Sequence, residues 1–243
     1  MACLTTAPAS LCAQESITSD RPGIGSGSGV VAAGVLQLES GLQYTSTSSD
    51  HVYSFGQVLV RYGIPGLELE LFGNSYVFTL SDIRSSELDT DGLEDLGFGF
   101  KLPLVAREGI ALSLQSVLTV PTGSAAVTAD SWSPAFNLLA DAPLGAQAGV
   151  TLNAGYSVGT NGMNDVLSLI VTPGVSLGEG VGAYAGWAGS FSSGADVHFG
   201  EAGLTFAPSP DVQLDVNGGW SLAGDFDGTE WFFGGGVAIR RIG

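Results

Sequence analysis

Between Val52 and Thr79 the side chains alternate in character over almost thirty positions, in two runs that meet at Gly63-Ile64-Pro65-Gly66. In the second run Leu67, Leu69, Leu71, Gly73, Ser75, Val77 and Thr79 share one face. Glu68, Glu70, Phe72, Asn74, Tyr76 and Phe78 share the other. In the first run Val52, Ser54, Gly56, Val58, Val60 and Tyr62 oppose Tyr53, Phe55, Gln57, Leu59 and Arg61. A period of two is that of a β-strand, and no helix separates Leu67, Leu69 and Leu71 from Glu68 and Glu70. Both runs exceed the usual strand of about five or six residues. Long strands with one charged and one apolar face suit a barrel wall between lipid and an aqueous lumen.

Composition supports a membrane setting without helical spans. Charged residues are 13% of the chain, against about a quarter in soluble domains, and mean hydropathy is +0.32. The longest uncharged stretch, 109–129, carries Ser113, Gln115, Ser116, Thr119 and Pro121, so it is not the run of roughly 20 apolar residues that a spanning helix needs. Acids outnumber bases 24 to 7, for a net charge of −17. That excludes nucleic acid, whose phosphates need Lys and Arg, and a polybasic lipid-binding surface. The two cysteines, Cys3 and Cys12, sit near the start, so nothing downstream forms a disulfide or a thiolate metal site.

Residues 1–13 read as the remnant of a secretory signal, with cleavage after Ala13; a disordered terminus is the other reading. Residues 14–33 read as a flexible periplasmic or plug segment. Their Gly25-Ser26-Gly27-Ser28-Gly29 run has neither the preceding strand nor the following helix of a phosphate-binding loop. From residue 34 to 243 the pattern gives twelve strand candidates: 34–45, the two runs above, 95–102, 110–120, 132–141, 147–158, 166–177, 181–191, 197–206, 212–222 and 231–239. Their connections alternate between Gly- and Pro-rich turns and longer polar loops such as 81–91 and 121–131. The expected fold is all-β, a transmembrane up-and-down antiparallel barrel with both termini in the periplasm. Tyr44, Tyr62, Trp132, Tyr156, Trp220 and Trp231 fall near strand ends, where interfacial aromatic girdles sit.

Thr18-Ser19-Asp20-Arg21-Pro22-Gly23, Gly34-Val35-Leu36-Gln37-Leu38-Glu39-Ser40-Gly41 and Arg61-Tyr62-Gly63 resemble the opening of a bacterial outer-membrane transporter family named for the MetA pathway of phenol degradation. Asp95-Leu96-Gly97-Phe98-Gly99-Phe100-Lys101, Pro121-Thr122-Gly123 and Val212-Gln213-Leu214-Asp215 extend the similarity over nearly the whole chain. The resemblance implies an outer-membrane barrel and transport, and its label does not fix a solute. The closing Ile239-Arg240-Arg241-Ile242-Gly243 departs from the terminal aromatic that such barrels present to the barrel-assembly machinery.

The alternation turns Glu39, Glu68, Glu70, Asp95, Asp141, Glu201 and Asp215 inward, against Arg61 and Lys101. An acidic lumen favours cations over anions, although Arg61 can simply pair with Glu68 or Glu70 across the hairpin. Tyr53, Phe55, Phe72, Tyr76 and Phe78 share the expected inner face. They suggest either an apolar mouth for an aromatic or aliphatic solute or packing against a plug. Glu87-Leu88-Asp89-Thr90-Asp91-Gly92 looks like half of a calcium loop, but Phe98 stands where the bidentate Glu belongs, so no metal is expected. His51 and His198, with Ser54 and Ser190, form no nucleophile elbow, so no catalysis is expected. The first functional reading is a channel for passive uptake of small solutes, without cofactor, in contact with outer-membrane lipid and lipopolysaccharide. The others are a non-conducting structural barrel and a barrel lipid hydrolase.

Overall fold

The computed structural model describes residues 17–73, 75–81, 89–193, 195–224 and 228–242. Residues 1–13, read from the sequence as a signal remnant, both cysteines and Glu87 of the acidic loop lie outside these residues. The described chain folds into β1 (Val35–Thr47), β2 (Asp50–Ile64), β3 (Leu67–Phe72), β4 (Tyr76–Ser81), β5 (Thr90–Leu93), β6 (Leu96–Arg107), β7 (Ile110–Val120), β8 (Ser133–Pro143), β9 (Ala148–Ser157), β10 (Val166–Gly178), β11 (Val181–Ser192), β12 (Ala195–Ser209), β13 (Val212–Ala223) and β14 (Thr229–Ile242). All pairings between these strands are antiparallel. β14 pairs with β1 and β1 with β2, which closes the sheet. β3 and β4 both pair with β2, and pair with β6 and β5 respectively, so β3–β4 and β5–β6 are interrupted staves. The result is a closed barrel of 12 staves. Closure leaves no edge whose backbone groups would stand unpaired in lipid.

The wall sorts side chains as the alternation requires. Leu36, Leu38, Leu69, Leu71, Phe98, Phe100, Leu138, Leu152, Leu204, Phe206, Leu214 and Val216 are exposed on the outside. They are 37–52% exposed, so in water each would forgo roughly half of the 1.5–3 kcal/mol that full burial is worth, together on the scale of the roughly 5–15 kcal/mol that holds a domain folded; hydrocarbon removes that cost. Tyr62, Trp132, Tyr156, Trp220 and Trp231 are likewise exposed, and Tyr44 packs at 5.1 Å between ring centroids against both Trp231 and Tyr53. The opposite face buries polar groups: Gln37, Glu39, Arg61, Glu68, Glu70, Lys101, Gln115, Asn153, Glu201 and Asp215.

One kink breaks the alternation. Gly56 and Gln57 have φ of 104° and 40°, and three residues of β2 there span two of β1, from the Glu39–Leu59 pair to the Gly41–Gly56 pair. This is a β-bulge, and a bulge reverses the facing beyond it. The neighbouring staves reverse at the same level, between β3 and β4 and between β5 and β6. Tyr53 and Phe55 therefore stand opposite Tyr44 and Leu42 on the outer face, and Phe78 and Tyr76 stand opposite them in turn. Phe55 is 49% and Tyr76 43% exposed. The expectation that Tyr53, Phe55, Tyr76 and Phe78 face the lumen is corrected: they widen the outer aromatic band. Phe72, before the break, keeps its inward place opposite Leu59.

Asp95 is a second correction. It lies in the gap between β5 and β6 rather than on the lumen wall, and it anchors loop 121–131. Its carboxylate accepts from the amides of Thr122, Gly123 and Ala129 at 3.0, 2.8 and 2.9 Å and from the Thr128 hydroxyl at 2.8 Å.

Candidate functional site

The lumen is occupied by the chain's own residues 17–33. The segment meets the barrel at its short-turn end, where the Ile17 amide donates to the Pro210 carbonyl at 2.8 Å. It rises along β1 and β13, crosses toward β9, and returns to the same end. There Ala33 bridges Gly63 and the Gly34 amide donates to the Gly63 carbonyl at 2.9 Å. Too polar to pack as a core, it is held by side chains from much of the wall.

Glu39 receives the Ser19 hydroxyl at 2.8 Å and the amides of Asp20 and Arg21 at 3.2 and 3.0 Å. Arg21 reaches Asp215 at 3.2 Å and the Gln57 side chain at 3.1 Å. Its guanidinium lies over Gly41 of β1 and Gly236 of β14, where any side chain would collide with it; bare backbone is what admits it. Asp20 accepts from Lys101 at 2.7 Å. Farther along, Glu201 accepts from the Ile24 amide at 2.9 Å, Asn153 both accepts from Ser26 and donates to it at 2.8 Å, and Asp141 accepts from the Ser28 amide and hydroxyl at 2.6 Å. Glu68 accepts from the Val31 amide at 2.6 Å.

Arg61 joins wall and segment. Its guanidinium bonds Glu68 at 2.7 Å, Glu39 at 3.1 Å and the carbonyls of Thr18 and Gly29 at 2.8 Å. Lys101 adds the Gly27 carbonyl at 3.1 Å and sits 3.7 Å from Glu70. Asp20, Glu68 and Glu70 lie close enough together to hold a cation, but Lys101 and Arg61 already supply the positive charge there.

The structure thus gathers Glu39, Arg61, Glu68, Glu70, Lys101, Asp141, Glu201 and Asp215 around the inner segment, with Asp95 elsewhere. At this level the acids hold protein rather than line open water. Asp20 and Arg21 complete the set. Their partners lie far off in sequence, so local pattern does not reveal the pairing. His51 and His198 take places on the outer wall. Tyr44 Oη lies 2.8 Å from His51 Nδ1, and the His198 ring stacks on Trp187 at 5.6 Å. Of the acidic loop, Asp89 accepts from the Ser81 amide at 3.1 Å and Asp91 from the Tyr76 hydroxyl.

Two cavities lie beside the segment's tip. One, of about 350 Å³, is lined by Gly23, Ile24, Gln43, Thr45, Ala188, Phe199, Phe232 and their neighbours. The other, of about 220 Å³, shares Ile24, Ala188 and Ser190 with it. Val197, Phe199 and Phe232 form a buried apolar cluster with Ala188. The signal for it was present: Val197 and Phe199 continue backward the inward parity of Glu201.

The fold is that of known outer-membrane proteins. The COG4313 outer membrane channel from Pseudomonas putida F1 superimposes with a TM-score of 0.68 at 16% identity, covering 91% of this chain and 99% of that one. The NanC porin gives 0.56 at 8% identity over 84% and 98%. The KdgM porin, solved with disordered oligogalacturonate, gives 0.56 at 9% over 83% and 98%. No curated protein matches the sequence. The family described as "Putative MetA-pathway of phenol degradation" matches residues 19–240, and the chain belongs to it, as a β-barrel of the bacterial outer membrane.

Proposed function

We propose that the protein is a channel for passive uptake of small solutes, hydrophobic or aromatic ones among them, with residues 17–33 setting its bore. The observation that carries this reading is the pair of cavities beside Ile24 inside a barrel of 12 staves. Such a barrel is wider than the roughly eight strands whose side chains just fill the interior. The segment that narrows it is held by polar contacts rather than by an apolar core, and such contacts can be exchanged for water. The acids around it outnumber Arg21, Arg61 and Lys101, which favours cations among charged solutes. Lipid and lipopolysaccharide would cover the outer face, and the barrel-assembly machinery would insert it.

Recording in planar bilayers tests this. The wild-type barrel should show small, ion-selective steps. Asp20→Asn combined with Arg21→Gln, which loosens the segment, should enlarge them several-fold. Silence from both proteins, each shown to be folded, would favour a non-conducting structural barrel.

A further inference from the structure

We propose that the lumen contains a binding site for a neutral, ring-bearing apolar solute with one hydrogen-bonding substituent, formed by Phe199 and Phe232 of the wall and Ile24 of the inner segment. The inference rests on the channel reading and gives it a solute class and a place.

Strand pairing puts the apolar groups inside. Phe199 stands opposite Ala188, which stands opposite Ile170; Phe232 stands opposite Gly219, and Gly219 opposite Glu201. The Phe199 and Phe232 rings lie 6.3 Å apart at 32°, leaving the cavity of about 350 Å³ beside them. An apolar cavity of about 150 Å³ already takes up benzene, so this one has room for a substituted ring. Ile24 closes the cavity from the segment side and is 43% exposed, although the segment around it is tied down by polar contacts. Apolar surface facing water inside a barrel gains roughly 25 cal/mol per Å² when a solute covers it.

The polar members set the rest of the chemistry. Gln43, Thr45, Ser190, Asn217 and Thr229 share the lining. Asn217 is nine-tenths buried and its Oδ1 has no hydrogen-bond partner among the described residues. A buried polar atom left unpaired is costly, and a solute hydroxyl that reached this amide oxygen would satisfy it. Among the described residues no ionisable side chain lines the cavity. Glu201 and Asp215 on the adjoining wall disfavour an anion, and a dehydrated cation would find no counter-charge among the lining groups. A neutral solute remains.

The test is calorimetry on the full barrel in detergent, with benzyl alcohol as probe, benzoate as its charged counterpart, glucose as a polar control and empty micelles as blank. Benzyl alcohol should bind saturably at one site, benzoate at least about tenfold more weakly, and glucose not at all. Phe199→Ala and Phe232→Ala should each weaken benzyl alcohol about tenfold, and Ile24→Ala several-fold. Phe232→Leu covers the case in which an alanine variant fails to fold, and should weaken binding less. Phe233→Ala, on the outer wall, should leave binding unchanged. Absence of saturable binding, or equal binding by wild type and the Phe199, Phe232 and Ile24 variants, would overturn the proposal. A barrel that conducts but does not bind defeats this site alone; one that binds but never conducts defeats the channel reading.

Discussion

Arg61 bonds Glu68 twice across the β2–β3 hairpin, from Nε at 2.7 Å and from Nη2 at 3.0 Å, and both side chains are closed off from solvent. Glu39 holds the same guanidinium from β1 at 3.1 Å. Removing one partner of a buried pair leaves the other charge uncompensated, at a cost of about 3–5 kcal/mol. Arg61→Met should therefore lower the temperature at which the folded band is lost on a detergent gel. Arg61→Met with Glu68→Gln should recover part of the loss, because one stranded charge is gone. A single variant as heat-resistant as wild type would show that this cluster does not stabilise the barrel.

Arg21 should respond to changes at residues that bear no charge. Its guanidinium lies over Gly41 and Gly236, so Gly41→Ala should expel it from Asp215 and Gln57. Single-channel recording should then give the Gly41→Ala barrel the conductance of Arg21→Ala. The double variant should add nothing further, since both changes break one contact set. Additive effects would mean that Gly41 matters for the wall and not for the segment.

The sequence disclosed the wall well and its contents poorly. Leu69 and Glu68 differ so plainly in solvent preference that the pattern alone orients β3. Tyr53 and Phe55 carry no such information, because aromatic rings suit either an interfacial band or a solute mouth. Only the positive φ at Gly56 and Gln57 decides between them. A glycine inside a strand is a hint of a bulge, but in a chain with 37 glycines the hint is diluted. Asp95 shares the parity of Lys101 yet lies beyond the end of β6, where parity no longer governs. Arg21 and Asp215 are 194 residues apart, and no local pattern joins them.

Asp95 should make loop 121–131 sensitive to acid. Burial is the largest single influence and raises its pKa, but the Gly123 amide, the Thr128 hydroxyl and the amides of Ala129 and Thr122 together outweigh it and hold the carboxyl below its ordinary range. A depressed folded-state pKa contributes order that is complete above the unfolded value, about 3.9, and fades as pH falls through the lowered one. The amide resonances of Gly123 and Ala129 should stay fixed above about pH 4 and move only below it. In Asp95→Asn they should be broadened at every pH and show no titration. A wild-type midpoint at the ordinary carboxylate value would refute the anchoring role.

Phe55 offers the sharpest check on the kink. It stands opposite Leu42, which is 56% exposed, whereas Ser54 stands opposite Gln43, a residue of the lumen cavity. Unbroken alternation from Arg61 would reverse these assignments. A fluorophore on Phe55→Cys should be quenched by quenchers carried on lipid chains and ignore iodide, and one on Ser54→Cys should do the opposite. Gly56→Val, forced into a backbone region that side chains avoid, should cost about 1–3 kcal/mol through the bulge alone. If the Phe55 label answers to iodide instead, the upper half of β2 faces inward, and Tyr53, Tyr76 and Phe78 return to the lumen with it.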